Sequence, residues 1–385
     1  MQLTKYKLGD LIAQRREKNK DYDLPIRGVS REGFIKPKVE EADTSIYNVF
    51  YKNDFVFNPA RMELNSIALN LVFDKALCSS LYEVFYVKDE NVVLPEFLNL
   101  HIKREEFARH CDYIGLGSAR EYCRFANIAE FDIKIPPIEF QREIVQADRQ
   151  IKRRIRLNEQ MIEKLEATAQ SLYRKMFVDN IDKQNLPEGW RMGTLGEVCS
   201  KIGSGSTPKG GKDSYQDSGV SLIRSMNVFD FNFSYEELAH ISDRQAKQLD
   251  GVAVNKKDIL FNITGASVAR CCMVPDEIIP ARVNQHVMII RAKDDYMPYY
   301  LLCSLCSDDA KQSLLGMSQS GSTREAITKA EIDSFHVVIP SQELLMDFTT
   351  KVEVLYQNVM LYKQETSKLK ELQSLLLAKM GNLKQ

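Results

Sequence analysis

Shifted by 204 residues, the chain falls on itself. Ile128-x-x-Phe131-x-x-x-Ile135-Pro136 meets Ile332-x-x-Phe335-x-x-x-Ile339-Pro340. With no gap, Glu139 then meets Glu343, Leu157 meets Leu361, Gln160 meets Gln364, Lys164-Leu165 meets Lys368-Leu369, Leu172 meets Leu376 and Lys175-Met176 meets Lys379-Met380. These are 12 identities over the 49 positions from 128 to 176. Upstream, Lys52-Asn53-Asp54-Phe55-Val56-Phe57-Asn58 lands on Lys256-Lys257-Asp258-Ile259-Leu260-Phe261-Asn262, and Gly117-Ser118-Ala119-Arg120-Glu121 on Gly321-Ser322-Thr323-Arg324-Glu325. At the starts the shift is 187, where Leu8-Gly9-Asp10-Leu11 matches Leu195-Gly196-Glu197-Val198. The second copy therefore carries about 17 extra residues, which the glycine-rich run Gly203–Gly211 is expected to hold. A repeat of this kind decides the architecture before any local reading does. The chain is two copies of one unit, each a mixed α/β segment followed by a helical one.

The helical segments follow Pro136-Pro137 and Pro340, which are helix-boundary signals. In the first, Ile144, Ile151, Ile155, Asn158, Ile162, Leu165, Ala169, Leu172 and Met176 recur at spacings of three and four after one step of seven. In the second, Phe348, Leu355, Val359, Tyr362, Thr366, Leu369, Gln373, Leu376 and Met380 take the equivalent places. Such spacing over five heptads predicts a coiled-coil seam, in which Asn158, Thr366 and Gln373 would set register. At 1.5 Å per residue each helix spans roughly 55–60 Å. Neither is apolar all round, so each needs a partner: the other copy's helix, or its own globular segment. The globular segments predict short strands at Phe55–Phe57, Ala68–Phe73 and Tyr82–Val87, with counterparts at Ile259–Phe261, Arg270–Val274 and His286–Ile290. Helices are expected to start at Leu94-Pro95 and Met297-Pro298. The reading is an α/β (α+β) protein with two duplicated globular domains, 1–137 and 185–340. Helical spacers at 138–184 and 341–385 would form an antiparallel coiled coil.

Composition narrows the function. With 52 Lys+Arg against 53 Asp+Glu the formal charge is -1, which excludes a globally basic nucleic-acid binder but not a locally basic one. The N-terminus has no apolar signal core and no stretch approaches the ~20 apolar residues of a membrane span, so a cytoplasmic location is expected and no membrane. The eight Cys are scattered. Cys303-x-x-Cys306 sits in an apolar run without a second Cys or His pair, so buried reduced thiols are expected and no metal. No Walker phosphate loop occurs. Gly203-x-Gly205 is half a dinucleotide fingerprint interrupted by Pro208. Asn58-Pro59-Ala60-Arg61 lacks the second proline and aromatic of an amino-methyltransferase motif. Pro275-Asp276 has no nuclease partner motif, and the five His show no metal spacing. No catalytic residue is nominated.

Two similar domains held apart by rigid helices form a caliper, which suits a ligand with two sites at fixed separation. Duplex DNA is such a ligand, since half-sites one turn apart lie ~34–36 Å from each other. Readout needs Arg, Lys, Asn, Gln, Ser or Thr on loops facing a groove. The candidates in the first copy are Arg27, Ser30, Arg31, Asn58, Arg61, Asn65, Ser118 and Arg120. In the second they are Ser206, Thr207, Lys209, Arg224, Ser225, Asn227, Asn262, Thr264, Arg282, Asn284, Gln285, Ser322, Thr323 and Arg324. Each is also an ordinary turn or surface residue type; the paired Gly-Ser-x-Arg loops rank first. The run Arg149, Lys152, Arg153, Arg154, Arg156 holds no acidic residue. It fits phosphate contact, a solvated coiled-coil face or a protein-binding face. A rival reading of the whole is a non-catalytic coiled-coil scaffold with duplicated protein- or glycan-binding domains.

One family gathers these features. The chain resembles the specificity subunit of type I restriction-modification systems through Leu186-Pro187-x-Gly189-Trp190, Gly203-Ser204-Gly205-Ser206-Thr207-Pro208, Val283-Asn284-Gln285-His286-Val287, Gly321-Ser322-Thr323-Arg324 and Ile339-Pro340. The first linker, Ile135-Pro136-Pro137-Ile138-x-x-Gln141-x-x-Ile144-Val145, and the run from Leu157 through Lys164-Leu165 to Leu172-Tyr173-x-Lys175-Met176-Phe177 continue it. The first domain departs most, lacking the Gly-Ser-Thr-Pro loop and the Val-Asn-Gln-His run. The resemblance implies two target-recognition domains reading the halves of a bipartite, asymmetric site in double-stranded DNA. It implies helices that set the spacer and dock two adenine-methylating modification subunits, and restriction/translocase subunits that join later. S-adenosylmethionine, ATP and Mg²⁺ would belong to those partners, and this chain would carry no cofactor.

Overall fold

A computed structural model describes residues 3–20, 23–37, 43–115, 122–319 and 326–381. The chain divides into two compact units, Met1–Leu157 with Glu365–Gln385, and Asn158–Gln364.

Each unit closes on itself. In the first, strand Thr4–Lys7 pairs antiparallel with Asp132–Ile135, Thr4 opposite Ile135. In the second, Arg191–Thr194 pairs with His336–Ile339, Arg191 opposite Ile339. A one-turn helix follows, Leu8–Leu11 in one unit and Leu195–Val198 in the other. The glycine each carries has a packing reason. A Cβ on Gly9 would sit 2.9 Å from Ala129 Cβ, and one on Gly196 would sit 3.0 Å from Asp333 O. Only glycine lets this turn lie against the helices Phe125–Ala129 and Lys329–Asp333.

The main sheet has four antiparallel strands in the same order in both units. It runs Ile12–Arg15, Glu83–Val87, Phe55–Phe57, Ile67–Leu69 in the first. In the second it runs Cys199–Ser204, Val287–Ala292, Ile259–Asn262, Cys271–Met273. Central strands read as unbroken apolar runs because both faces are covered. Phe55 and Phe57 face a core with Leu8, Ile12, Phe85, Phe97, Leu98, Ile128 and Ile144, while Val56 faces another with Val29, Phe50, Ala68, Ala76 and Val84. Likewise Ile259 and Phe261 pack with Leu195, Met288, Ile290, Tyr300, Phe348 and Phe177, and Leu260 with Ile223, Val254, Cys272, Val283 and Ile289.

The expected strands are present with trimmed ends. The span predicted at Ala68–Phe73 is Ile67–Leu69. It stops because fully buried Asn70 turns the chain: its Nδ2 donates to Tyr51 O and Phe73 O, and its Oδ1 accepts from Val72 N and Phe73 N. The expected helix starts become Pro95–Ile102 and Pro298–Leu305, with proline in the first turn. The extra residues of the second copy are not confined to Gly203–Gly211. The offset is 187 between Ile12 and Cys199, 195 where Ile26 bridges Leu77 in parallel as Ser221 bridges Ala281, and 204 between Phe55 and Ile259. About half therefore fall beyond Ile223, with the hairpin Val228–Phe229/Asn232–Phe233 and helix Asp243–Gln248.

The two long helices are Ile138–Phe177 and Gln342–Gly381, each of 40 residues, and 204 separates both their starts and their ends. Each contributes one segment to each unit. All nine seam positions of each helix are buried or half-buried. Ion pairs and hydrogen bonds flank them. In the first unit Arg154 Nε and a guanidinium NH2 donate to the two carboxylate oxygens of Glu365 at 2.9 Å, and Gln373 Nε2 donates to Asp148 Oδ1 at 2.7 Å. In the second, Lys363 Nζ donates to Glu166 Oε1 at 3.3 Å. Among the described residues no helix is long and apolar enough to cross a membrane.

Candidate nucleic-acid interface

In the second unit, four loops meet at one end of the main sheet. Strand Cys199–Ser204 runs on through Gly205, whose N–H donates to Val287 O at 2.9 Å, and Ser206 N donates to Val283 O at 3.0 Å. A Cβ at Gly205 would lie 2.0 Å from Val283 O, so only glycine carries the loop this close to Asn284. Asn284 N in turn donates to Ile223 O at 3.0 Å, bringing the turn Arg224–Asn227 alongside. Asn262 Nδ2 donates to Ser225 O at 2.9 Å, and Thr264 Oγ1 lies 2.8 Å from His286 Nδ1. Gln285 Nε2 stands 3.1 Å from His286 Nε2. With Gln285 donating, His286 accepts at Nε2 and carries its proton on Nδ1, which leaves the Thr264 hydroxyl free to donate outward.

Ser206, Thr207, Lys209 and Gln285 are exposed on this surface, and Thr264 and His286 are half-exposed. Other predicted readers turn out to be framework. Asn227 and Asn262 are fully buried. Asn227 Nδ2 donates to Ser234 O and Glu236 O, and its Oδ1 accepts from Arg224 N. Neither amide can reach a groove; both hold the turns that present their neighbours. Ser225 serves through its carbonyl. Asn284 is buried, its Oδ1 accepting from His286 N at 3.1 Å, and Arg282 is buried, paired with Asp250 at 2.8 Å. Arg224 lies 5.6 Å over the Tyr215 ring and donates to Glu237 O.

The first unit builds its surface differently. Arg27, Asn58 and Arg61 come together around a cleft of about 280 Å³, with Lys36, Tyr47 and Tyr82. Asn58 and Tyr82 also border a neighbouring cleft of about 440 Å³, lined by Arg15, Arg16, Lys18, Leu81, Tyr122 and Arg124 among others. Arg16, Lys18, Tyr122 and Arg124 escaped the sequence reading. The signal was the basic run Arg15-Arg16-x-Lys18 at the end of a strand, which has no basic counterpart in the second copy. Lys18 Nζ donates to Asn48 Oδ1 at 2.7 Å, and Arg124 lies 5.6 Å over the Tyr122 ring and 3.3 Å from Glu83. Arg15 is spoken for: it forks onto Asp54 at 2.6 and 3.0 Å between the rings of Tyr51 and Tyr86. Burial raises the Asp54 carboxyl, against the pull of Arg15. Of the remaining candidates, Ser30 braces its own hairpin by donating to Gly33 O and accepting from Glu32 N, and Arg31 lends its carbonyl to Lys103 Nζ. Asn65 adopts a left-handed backbone (φ 52°) and donates to Ile102 O. Ser118, Arg120, Ser322, Thr323 and Arg324 lie outside the described residues.

The family model for the type I restriction modification DNA specificity domain matches this chain twice, over residues 3–167 and 187–370. The chain belongs to that family. The two matched segments are the two copies. Its relatives include the type I restriction enzyme MjaIX specificity subunit of Methanocaldococcus jannaschii, 23% identical over 75% of this chain and 68% of that protein. The HindI specificity subunit of Haemophilus influenzae is 20% identical over 76% and 78%. In fold, the chain is similar to the type I restriction-modification S subunit from M. genitalium, with a TM-score of 0.62 at 15% identity, covering 98% of this chain and 96% of that one.

In this member of the specificity-domain family, the basic run on the first long helix is largely neutralised. Arg149 pairs with Glu96, Lys152 with Asp148 at 2.7 Å, and Arg154 with Glu365. Arg153 and Arg156 remain exposed. Three of the five cations are thus committed to carboxylates, and the run is a weaker phosphate-binding surface than its sequence promised.

Proposed function

We propose that the chain is the DNA-specificity subunit of a type I restriction-modification enzyme, in which each unit reads one half of a bipartite, asymmetric site. The observation that supports this most is the shared sheet order of the two units, with divergent polar loops on corresponding strands. A duplicated framework with unlike loops suits one ligand with two unlike halves. In the second unit the readers are Ser206, Thr207, Lys209, Thr264 and Gln285, whose hydroxyl, ammonium and amide groups suit base edges and phosphates. In the first they are Arg16, Lys18, Arg27, Asn58, Arg61 and Arg124 around the two clefts.

Residues 1–137 and 185–340 act in this reading as target-recognition domains, and 138–184 and 341–385 as spacers. The buried seams support reading the long helices as an antiparallel coiled coil that serves as the spacer of the bipartite site. The same helices dock two methyltransferase subunits, and restriction/translocase subunits join that assembly in the cytoplasm. S-adenosylmethionine, ATP and Mg²⁺ act on those partners; this chain supplies the address and performs no chemistry.

Mapping methylated adenine genome-wide, with and without the gene, tests the reading. A bipartite motif that disappears on deletion is expected; a methylation pattern that survives unchanged overturns it. Removing whole turns from both long helices together is expected to shorten the accepted spacer, and an unaltered spacer refutes the ruler.

A further inference from the structure

The second unit holds two thiols face to face, and neither belongs to the loops just described. Cys271 begins the edge strand Cys271–Met273, and Cys306 caps the helix Pro298–Leu305. Their Sγ atoms stand 3.3 Å apart. Cys303, the other cysteine of the Cys303-x-x-Cys306 run, is packed in the apolar core instead. Charged groups surround the pair. Asp230 Oδ1 accepts from Cys271 N at 3.0 Å and lies 3.9 Å from Cys306 Sγ. Lys311 Nζ bridges Asp230 Oδ1 and Ala269 O. Cys271 is fully buried, while Cys306 is half-buried beside Asp230, whose side chain is 46% exposed, so Cys306 is the more accessible of the two. Asp230, Cys271 and Cys306 also have metal-ligand atoms within 4.8 Å of one another. The Lys311 ammonium already occupies the cation's place on Asp230, which argues against a metal.

We propose that Cys271 and Cys306 are a redox-active dithiol that closes to a disulfide by exchange with a small disulfide of the glutathione class. Cys306, the more accessible of the two, gives up its proton and attacks first as thiolate; burial pushes its thiol up, and the Lys311 ammonium pulls the other way. One S–S bond of the small disulfide breaks, a mixed disulfide forms, and one small thiol leaves with a proton. Cys271 then gives up its proton and attacks the Cys306 sulfur, and the second small thiol departs. Two protein thiols are oxidised by two electrons and one small disulfide is reduced to two thiols. The sulfurs move from 3.3 Å to about 2.05 Å, closing a loop between residues 35 apart in sequence. The strand so tethered starts two residues after Ala269, a non-glycine residue in left-handed backbone (φ 66°) whose N–H donates to Asn262 O. Oxidation therefore stiffens the turn that carries Thr264. The dithiol itself does not depend on the DNA reading.

The test uses the full chain, reduced and then equilibrated with oxidised and reduced glutathione. Free thiols are alkylated, and the protein is digested without reduction and analysed by mass spectrometry. One cross-linked peptide joining Cys271 to Cys306 is expected, with two fewer alkylations, in wild type and in Cys303→Ser. It should be lost in Cys271→Ser and in Cys306→Ser. Oxidised wild type should melt roughly 5 °C or more above the reduced form and return on reduction. A Cys303–Cys306 link, no link at any glutathione ratio, or thiol protection that tracks bound zinc on native mass spectrometry overturns the proposal.

Discussion

The two units solve one folding problem twice, and the comparison separates what the fold requires from what the surface is free to vary. Asp54 and Asp258 occupy equivalent turns, each 1% exposed or less and each forked by an arginine. The arginine comes from different strands: Arg15 from Ile12–Arg15 in the first unit, Arg291 from Val287–Ala292 in the second. The buried carboxylate is the fixed element, bonding the turn's backbone at Tyr51 N and Asn255 N. The cation that neutralises it can enter from either side. Freed from one position, the strand end can then serve the surface, as Arg16 and Lys18 do in one unit and Gly205-Ser206 in the other.

The sharpest way to break the comparison is to remove those carboxylates. Asp54→Ala and Asp258→Ala each strand a partly buried guanidinium and should cost about 3–5 kcal/mol by chemical denaturation. Double-mutant cycles should couple Arg15 with Asp54 and Arg291 with Asp258, while Arg15 with Asp258 stays additive. Coupling across the units would refute the assignment of partners.

A second contrast lies on the helices Pro95–Ile102 and Pro298–Leu305, where buried His101 corresponds to Ser304. Burial, and then the charge of Arg104, push the His101 imidazole down to about 3, and its Nδ1 accepts from Arg104 at 3.2 Å. The folded value lies below the ordinary unfolded one of ~6.5. Its contribution is therefore complete above pH 6.5 and is lost as pH falls from there toward 3. At pH 5 the first unit should be weakened by roughly 2 kcal/mol. Hydrogen exchange resolved by unit should show that loss in the first unit alone, and His101→Ser should abolish its pH dependence.

Smaller effects should mark the interface. On the proposed function, Thr264→Val or Gln285→Ala, assayed together with methyltransferase subunits, should relax discrimination in one half-site by about 1–3 kcal/mol. Lys18→Ala or Arg124→Ala should act on the other half-site. Binding selections on randomised half-sites read both, and a variant that relaxes the wrong half breaks the correspondence. Smallest of all, Arg149→Ala should change the salt slope of DNA binding less than Arg153→Ala, because Arg149 is already paired with Glu96.

Much of this architecture was legible in the sequence because repetition compares the chain with itself. The offset of 204 placed both ends of the long helices, and the apolar runs at Phe55–Phe57 and Ile259–Phe261 marked the central strands. Strands of two or three residues, such as Gly28–Ser30 and Val228–Phe229, carry no period to read. Among the candidate readers, residue type picked out exposed Thr207 and Gln285, but equally the fully buried Asn227 and Asn262. An asparagine that caps a turn and one that reads a base look alike until burial is known. Lys18 and Arg124 were missed because only the fold brings such distant positions to one cleft.

The strand pairs Thr4–Lys7 with Asp132–Ile135, and Arg191–Thr194 with His336–Ile339, tie the beginning of each copy to its own end. Genetic exchange of a whole copy between related genes thus leaves every strand pairing intact, whereas a crossover inside a copy splits one. The constraint that travels with the exchanged piece lies on the long helices: Leu377 and Met380 pack into the first unit's core, and Ala169, Tyr173 and Phe177 into the second's. A gene built this way can exchange one copy in a single recombination event, provided those helix positions stay apolar.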